Sequence, residues 1–169
     1  VYSVWGDVGD LKGIVDVAKR HGAVVVVDEA HAMGMYGEKG RGVAELHDVE
    51  NDVDIVVGTF SKSVGAIGGY AVTKRPELRQ LRFMARPYLF TASLPPPIVA
   101  AAREAVRIIA ADPQPRQMLW ANANKFHAGL CDIGLKPCAS PGPVGSIRMN
   151  GLTGGYQFWK AALDRGVYV

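Results

Sequence analysis

Cysteine is scarce: the 169 residues hold two, Cys131 and Cys138. Two thiols cannot make a disulfide scaffold, and no further Cys or His stands at ligand spacing, so no metal site is expected. Packing is the expected role of both, in a reducing compartment. An excess of one charge is lacking too, since 19 basic and 16 acidic residues are scattered along the chain to a net +3. So mild and mixed a balance implies neither a nucleic-acid partner nor a membrane surface. No apolar run approaches the roughly 18 residues of a membrane span, and Val1 to Gly9 has neither the basic start nor the apolar body of a signal peptide. A cytoplasmic protein without an integral membrane segment is therefore expected. What is present, 49% hydrophobic and 21% charged residues, is the make-up of a globular chain of one-domain length with enough apolar material for a core. There is no initiating Met, the start Val1-Tyr2-Ser3-Val4-Trp5 reads as a strand, and Gly166-Val167-Tyr168-Val169 reads as the entry to another. A fragment of a longer protein is the expectation.

The pattern is α/β. Leu11, Ile14, Val15 and Ala18 repeat at helical spacing between Asp10 and His21, and Gly22 follows as a stop. Ala23 to Val27 is a continuous β-branched run, the signature of a strand covered on both faces in a parallel sheet. A second strand is expected over 54–58, a third over 70–73, and a mobile or tightly turned loop where Gly34, Gly37, Gly40 and Gly42 cluster. Pro76 opens a helix to about Ala85, which Pro87 ends. Long helices are expected over 98–111 and about 116–133, parted by Asp112-Pro113-Gln114-Pro115. A strand over 144–149, a glycine-rich turn at 151–155 and a helix over 156–165 complete the expectation. Residues 1–112 then form part of a large domain, and 113–169 a connecting helix and the start of a small C-terminal α/β domain.

Ligands of open α/β sheets bind beyond the carboxyl ends of the strands. Two such ends carry polar residues here: Asp28 with His31, and Thr59 with Ser61 and Lys62. A Lys just after a buried strand can be desolvated enough to lose its proton and attack a carbonyl, forming a Schiff base. An Asp at a neighbouring strand end can stay ionised and hold a pyridinium nitrogen, as pyridoxal phosphate requires. The hydroxyls and free backbone N–H groups at Thr59 and Ser61 suit a phosphate, and His31 can reach a ring hydroxyl or the reacting carbon. Taken singly, Asp28 reads equally as a helix cap, His31 as a structural hydrogen-bonding residue and Lys62 as a solvated surface lysine. The glycine loop at 34–42 lacks the dinucleotide-binding spacing.

Val27-Asp28-Glu29-Ala30-His31 also matches, letter for letter, the acidic motif of the DEAH-type nucleic-acid helicases. Such a motor needs a G-x-x-x-x-G-K-[ST] loop, and Ser61 stands where its second Gly must be. The later Ser-Ala-Thr motif is absent as well, the nearest letters being Thr91-Ala92-Ser93, and no basic groove is indicated.

With both strand ends taken together, the chain resembles the α-oxoamine synthases, pyridoxal-phosphate enzymes of the aspartate-aminotransferase fold (fold type I). The match rests on Val1-Tyr2-Ser3, Val27 to Gly34, Gly37 to Gly42, Gly58 to Ser63, Gly68-Gly69-Tyr70 and Arg86 to Pro95, blocks that span most of residues 1–130. The resemblance implies a mostly parallel sheet in a large cofactor-binding domain. It implies that Lys62 holds the cofactor and moves the α-proton, that Asp28 partners the pyridine nitrogen and that His31 bonds the ring hydroxyl. Ser3 is implied as a further cofactor contact, Thr59 and Ser61 as phosphate contacts, and Thr91 as a hydroxyl reaching the phosphate of a neighbouring subunit in a homodimer with a shared active site. Family members condense an amino acid with an acyl-CoA and release carbon dioxide and CoA. The form Thr59-Phe60-Ser61-Lys62-Ser63, with Phe90 to Pro96, is nearest the soluble bacterial members that join L-serine to palmitoyl-CoA to give 3-oxosphinganine. Relatives using glycine or alanine with other acyl-CoAs are the alternative.

Overall fold

A computed structural model describes residues 1–169, the side chain of Leu78 excepted. Helix α1, Leu11–Arg20, begins where the Asp10 carboxylate accepts a hydrogen bond from Gly13 N at 3.0 Å and ends with Lys19 and Arg20 at its negative pole. Leu11 and Val15 face the core and Ala18 packs partly buried beside them, whereas Ile14 is 54% exposed. The buried stripe is thus narrower than the spacing implied, because only one side of α1 meets the sheet.

Three strands follow: β1 (Val26–Asp28), β2 (Ile55–Thr59) and β3 (Gly69–Thr73), in that spatial order. β1 and β2 are parallel, with Val26 opposite Ile55 and Asp28 opposite Val57. β2 and β3 are antiparallel, Ile55 facing Thr73 and Thr59 facing Gly69, so the sheet is mixed. Val24 and Val26 are more than half exposed while Val25 is buried. Among the described residues the run over 23–27 is therefore covered on one face, and the expected double coverage is corrected. Asp54 ties the start of the sheet together: its Oδ2 accepts from Val25 N at 2.8 Å and its Oδ1 from Arg75 Nε at 2.9 Å.

Between β1 and β2 the chain turns back repeatedly. Gly34 N donates to Gly40 O, Gly42 N donates to Tyr36 O, and the loop is tightly wound rather than open. It delivers a four-residue helix that the sequence did not announce, α2 (Val43–Leu46). The core gathers here, with Ala32, Tyr36, Val43, Ala44, Val49 and Val53 packed against Leu11, Val15 and Val25. Burying one such Val stabilises the fold by roughly 1.5–3 kcal/mol.

The helix expected over 76–85 is broken into a 3-10 turn at Pro76–Gln80 and α3 (Leu81–Met84), and α4 (Arg86–Leu89) then starts at Pro87's own turn. A Pro suits a first helical turn as readily as it closes a preceding one. The long helices α5 (Pro96–Ala111) and α6 (Gln114–Asp132) form as expected. α6 leans on the wound loop: Trp120 Nε1 donates to Met35 O at 2.7 Å, and its ring meets Tyr36 edge-on with centroids 5.2 Å apart.

Three expectations about the ends are corrected. Residues 1–5 form a turn, closed by Gly6 N donating to Tyr2 O. The segment 144–149 makes one isolated bridge, Ile147 to Pro137, instead of a strand, since among the described residues no strand pairs with it. The glycines at 151–155 are the first turn of α7 (Gly151–Leu163), and the last residues are irregular. Both cysteines are free and exposed rather than packed, since Cys131 lies on the outer side of α6 and Cys138 in the loop beyond it. Replacing Trp120 by Phe keeps most of the ring's contacts but orphans the Met35 carbonyl. Unfolding in urea should show a loss of about 0.5–1.5 kcal/mol; an unchanged midpoint would remove this bond from the fold's support.

Candidate active site

The carboxyl ends of β1 and β2 lie side by side, and the turn after each strand builds the site. After β1, Asp28 Oδ1 accepts from Ala30 N at 2.8 Å, which fixes the carboxylate by one oxygen. Among the described residues Oδ2 has no such partner and stays available. Ala32 N and Met33 N both donate to Glu29 O at 2.9 Å, the start of a helical turn that brings His31 back over Asp28. After β2, Phe60 N donates to Gly68 O, Ala66 N to Phe60 O and Gly65 N to Lys62 O, so that Lys62 rides on a closed turn.

A cleft of ≈490 Å³ results, lined by Ser3, Asp28, His31 and Lys62 together with Tyr2, Ile14 and the β1 backbone. Its volume is in the range of roughly 300–1,000 Å³ usual for a small organic ligand. Four of the residues singled out in the sequence therefore converge. Thr59 and Ser61 stand just outside this lining, on the turn that carries Lys62, with their hydroxyl oxygens 2.7 Å apart. Thr59 Oγ1 donates to Gly68 O at 3.1 Å, so in the pair of hydroxyls it is Ser61 that donates. Thr91 is exposed beyond α4 and does not join the cleft.

Lys62 departs from expectation. It is exposed on its turn, three residues past the end of β2, so the described residues do not desolvate it. His31 is the group whose environment is marked. Burial first, then the charge of Lys62, holds its imidazole below the ordinary 6.5, and the Asp28 carboxylate opposes them. Nearby, burial and then the charges of Glu29 and Asp28 push the Tyr70 phenol up. A roomier hollow of ≈1010 Å³ between Tyr36, Trp120 and Pro141 contains none of the expected residues.

Glu29 was named only as part of the Val27 to His31 run and given no role, and nothing local marks its pairing with α2. Its side chain is 1% exposed; Oε2 accepts from Val43 N at 3.0 Å and Oε1 from Ala44 N at 2.9 Å. The glutamate of the Asp-Glu-Ala-His run is thus engaged with the first turn of α2, where it could not serve a nucleotide-bound metal as in a helicase. Among the described residues there is no group of three His, Cys, Asp or Glu side chains placed for a metal. No helix there is long and apolar enough to cross a membrane.

The site has organic-cofactor chemistry: one amine, one anchored carboxylate with a free oxygen, one neutral imidazole and a group of hydroxyls. That set fits an aldehyde-bearing, protonated-ring, phosphorylated cofactor. The comparisons agree with it. The family model for class I and II aminotransferases matches residues 5–169. Serine palmitoyltransferase of Sphingomonas paucimobilis is 44% identical over 100% of this chain and 41% of its own length. The 2-amino-3-ketobutyrate coenzyme A ligase of Escherichia coli K12 is 36% identical over 100% of this chain and 43% of its own. Among solved structures, serine palmitoyltransferase from S. paucimobilis with a bound PLP–myriocin aldimine superposes with a TM-score of 0.95 at 43% identity, over 100% of this chain and 44% of that one. The chain thus spans less than half the length of these relatives.

The cleft's charges make a titration prediction. His31 should titrate below 6.5 by NMR; Lys62→Ala should move it up and Asp28→Asn further down. Because the folded midpoint is depressed, the unfolded chain takes the proton first. The contribution to stability is therefore present above pH 6.5 and lost as pH falls through the folded midpoint. A midpoint at or above 6.5 would contradict the assigned burial.

Proposed function

The chain belongs to the class I and II aminotransferases, and from that premise we propose that the protein is an α-oxoamine synthase condensing L-serine with palmitoyl-CoA to 3-oxosphinganine, CoA and carbon dioxide. The supporting observation is the single cleft at two strand ends that unites Lys62, Asp28, His31 and Ser3. Pyridoxal phosphate is the proposed cofactor, and when bound it supplies an electron sink for negative charge at the substrate's α-carbon.

Each side chain has a task that its setting supports. Lys62 Nζ would be the amine that holds the cofactor through its aldehyde carbon and, when free, would serve as the base for the α-proton. Its exposed turn leaves the amine room to take both positions. Asp28, fixed by one oxygen, keeps a proton on the ring nitrogen with the other. His31, neutral at pH 7, can donate or accept at the ring hydroxyl without adding a cation beside Lys62. Ser3 lines the same cleft. Thr59 and Ser61 are assigned to the phosphate, with Thr91 assigned to that of a second subunit, so a homodimer with shared sites is part of the proposal. The exposure of Thr91 away from its own cleft supports that assignment. A cytoplasmic location is proposed with it.

The 36% identity to a 2-amino-3-ketobutyrate coenzyme A ligase keeps a second reading in view, namely another α-oxoamine synthase that condenses glycine or alanine with a different acyl-CoA. Titrating the pyridoxal-phosphate-loaded whole protein with each amino acid separates them. A saturable change in visible absorbance is expected with L-serine and not with glycine or L-alanine; the reverse pattern assigns another branch, and failure to take up the cofactor sinks both. Borohydride reduction should fix the cofactor to the Lys62 peptide, seen by mass spectrometry, and Lys62→Ala should abolish that mass. Asp28→Ala should lower turnover by about 10²–10⁴-fold, the usual contribution of a group that holds a proton in place; retained turnover would remove Asp28 from the mechanism.

A further inference from the structure

Glu29 is the one buried charged residue among those described, and five hydrogen bonds meet on it. Its N–H donates to Val57 O at 2.8 Å, continuing the β1–β2 ladder. Its C=O accepts from Ala32 and Met33, forming the turn that carries His31. Its two carboxylate oxygens take Val43 N and Ala44 N. Asp28 is the residue before it, and His31 lies one turn on. The α2 side is built to receive the carboxylate: Gly42 has φ +105°, and a Cβ there would come within 2.5 Å of Glu29 Cδ.

Each carboxylate oxygen already accepts one backbone N–H and the residue is 1% exposed, so Glu29 is committed to the protein's own backbone rather than presented to a substrate. Its carboxylate faces backbone rather than a cation, and such charge-assisted bonds are short and directional. We propose that Glu29 is a positioning residue: by pinning the Asp28–His31 turn to the start of α2, it holds Asp28 and His31 where the cleft needs them. What the turn then binds rests on the proposed function; the pinning itself does not.

Two variants disturb the link by different means. Glu29→Gln turns an amide NH₂ toward one of the two N–H donors, and Gly42→Ala keeps the charge but crowds it. Trp120→Phe weakens the far side of the same loop and serves as the control. In the whole protein without added cofactor, the His31 midpoint by NMR should move toward 6.5 in both variants, since the turn that buries the imidazole is loosened. In titrations with pyridoxal phosphate, Kd should rise about tenfold, the lower end of what outer partners contribute at metal sites. Trp120→Phe should leave both values at those of the parent despite its lower stability. If His31 keeps its midpoint in whichever of the two variants folds, or if the control shifts as far as they do, Glu29 is merely structural and the proposal falls. If the parent protein takes up no pyridoxal phosphate, the proposed function fails, and the His31 comparison alone still decides the role of Glu29.

Discussion

The buried carboxylate of Glu29 is the constraint on which the other parts of the site depend. A carboxylate out of water costs several kcal/mol unless its oxygens are bonded, and the bonds available are the first N–H groups of a helix only four residues long. So short a helix does not stand alone. Glu29 satisfies donors that α2 would leave open, and α2 in turn allows Glu29 to be buried. The wound loop of residues 30–42 has to bring these partners together across 14 positions, which explains its dense turns. Val43 and Ala44, once seated, complete the core over Leu11 and Val15.

From that seat the chemistry is reached by short steps. Pairing Asp28 with Val57 puts one strand end beside another, and the ladder's last bond, Glu29 N to Val57 O, extends the register to where the turn begins. The antiparallel β3 closes the far side, where Tyr70 packs on Phe60 at 5.5 Å and its hydroxyl lies where any Cβ on Gly58 would be. The close approach of strand and aromatic ring at Gly58 leaves no space for a side chain just before Thr59. The turn with Lys62 therefore starts from a fixed point.

Much of this was legible in the letters because it is local. Asp10, the Leu11–Val15 spacing and Gly22 mark α1 within a dozen residues, and the prolines at 95–97 and 113–115 mark where α5 and α6 begin. Asp28, His31, Ser3 and Lys62 could be picked out since polar residues at strand ends are uncommon and the resemblance assigned them roles. What was not legible depends on partners distant in sequence. The pairing of Glu29 with residues 43 and 44 has no periodic signature. The run over 23–27 looks the same whether one face or two is covered, and only three-dimensional packing leaves Val24 and Val26 exposed. Val144 to Met149 has strand-like residues but finds one bridge partner. The glycines at 151–155 carry turn propensity that the apolar stretch Tyr156–Leu163 overrides by extending its helix backward.

The two charged members of the cleft are held differently, and the difference matters for chemistry. Asp28 is tied to Ala30 N and lies at the rim of a hydrogen-bonded ladder, so its free oxygen has a fixed address. Lys62 is carried on a turn closed by backbone bonds, and its side chain is exposed with no hydrogen-bond or ion-pair partner among the described residues. A group that only stabilises charge is best immobile, because reorganisation would cancel part of its effect. A group that must first bond to one carbon and then reach the proton of another needs reach. His31 lines the same cleft, with its charge suppressed by its own burial and by Lys62. The cleft therefore brings together one anchored carboxylate, one exposed amine and one imidazole held below its ordinary midpoint, a division that an adjacent second cation would upset by competing for Asp28.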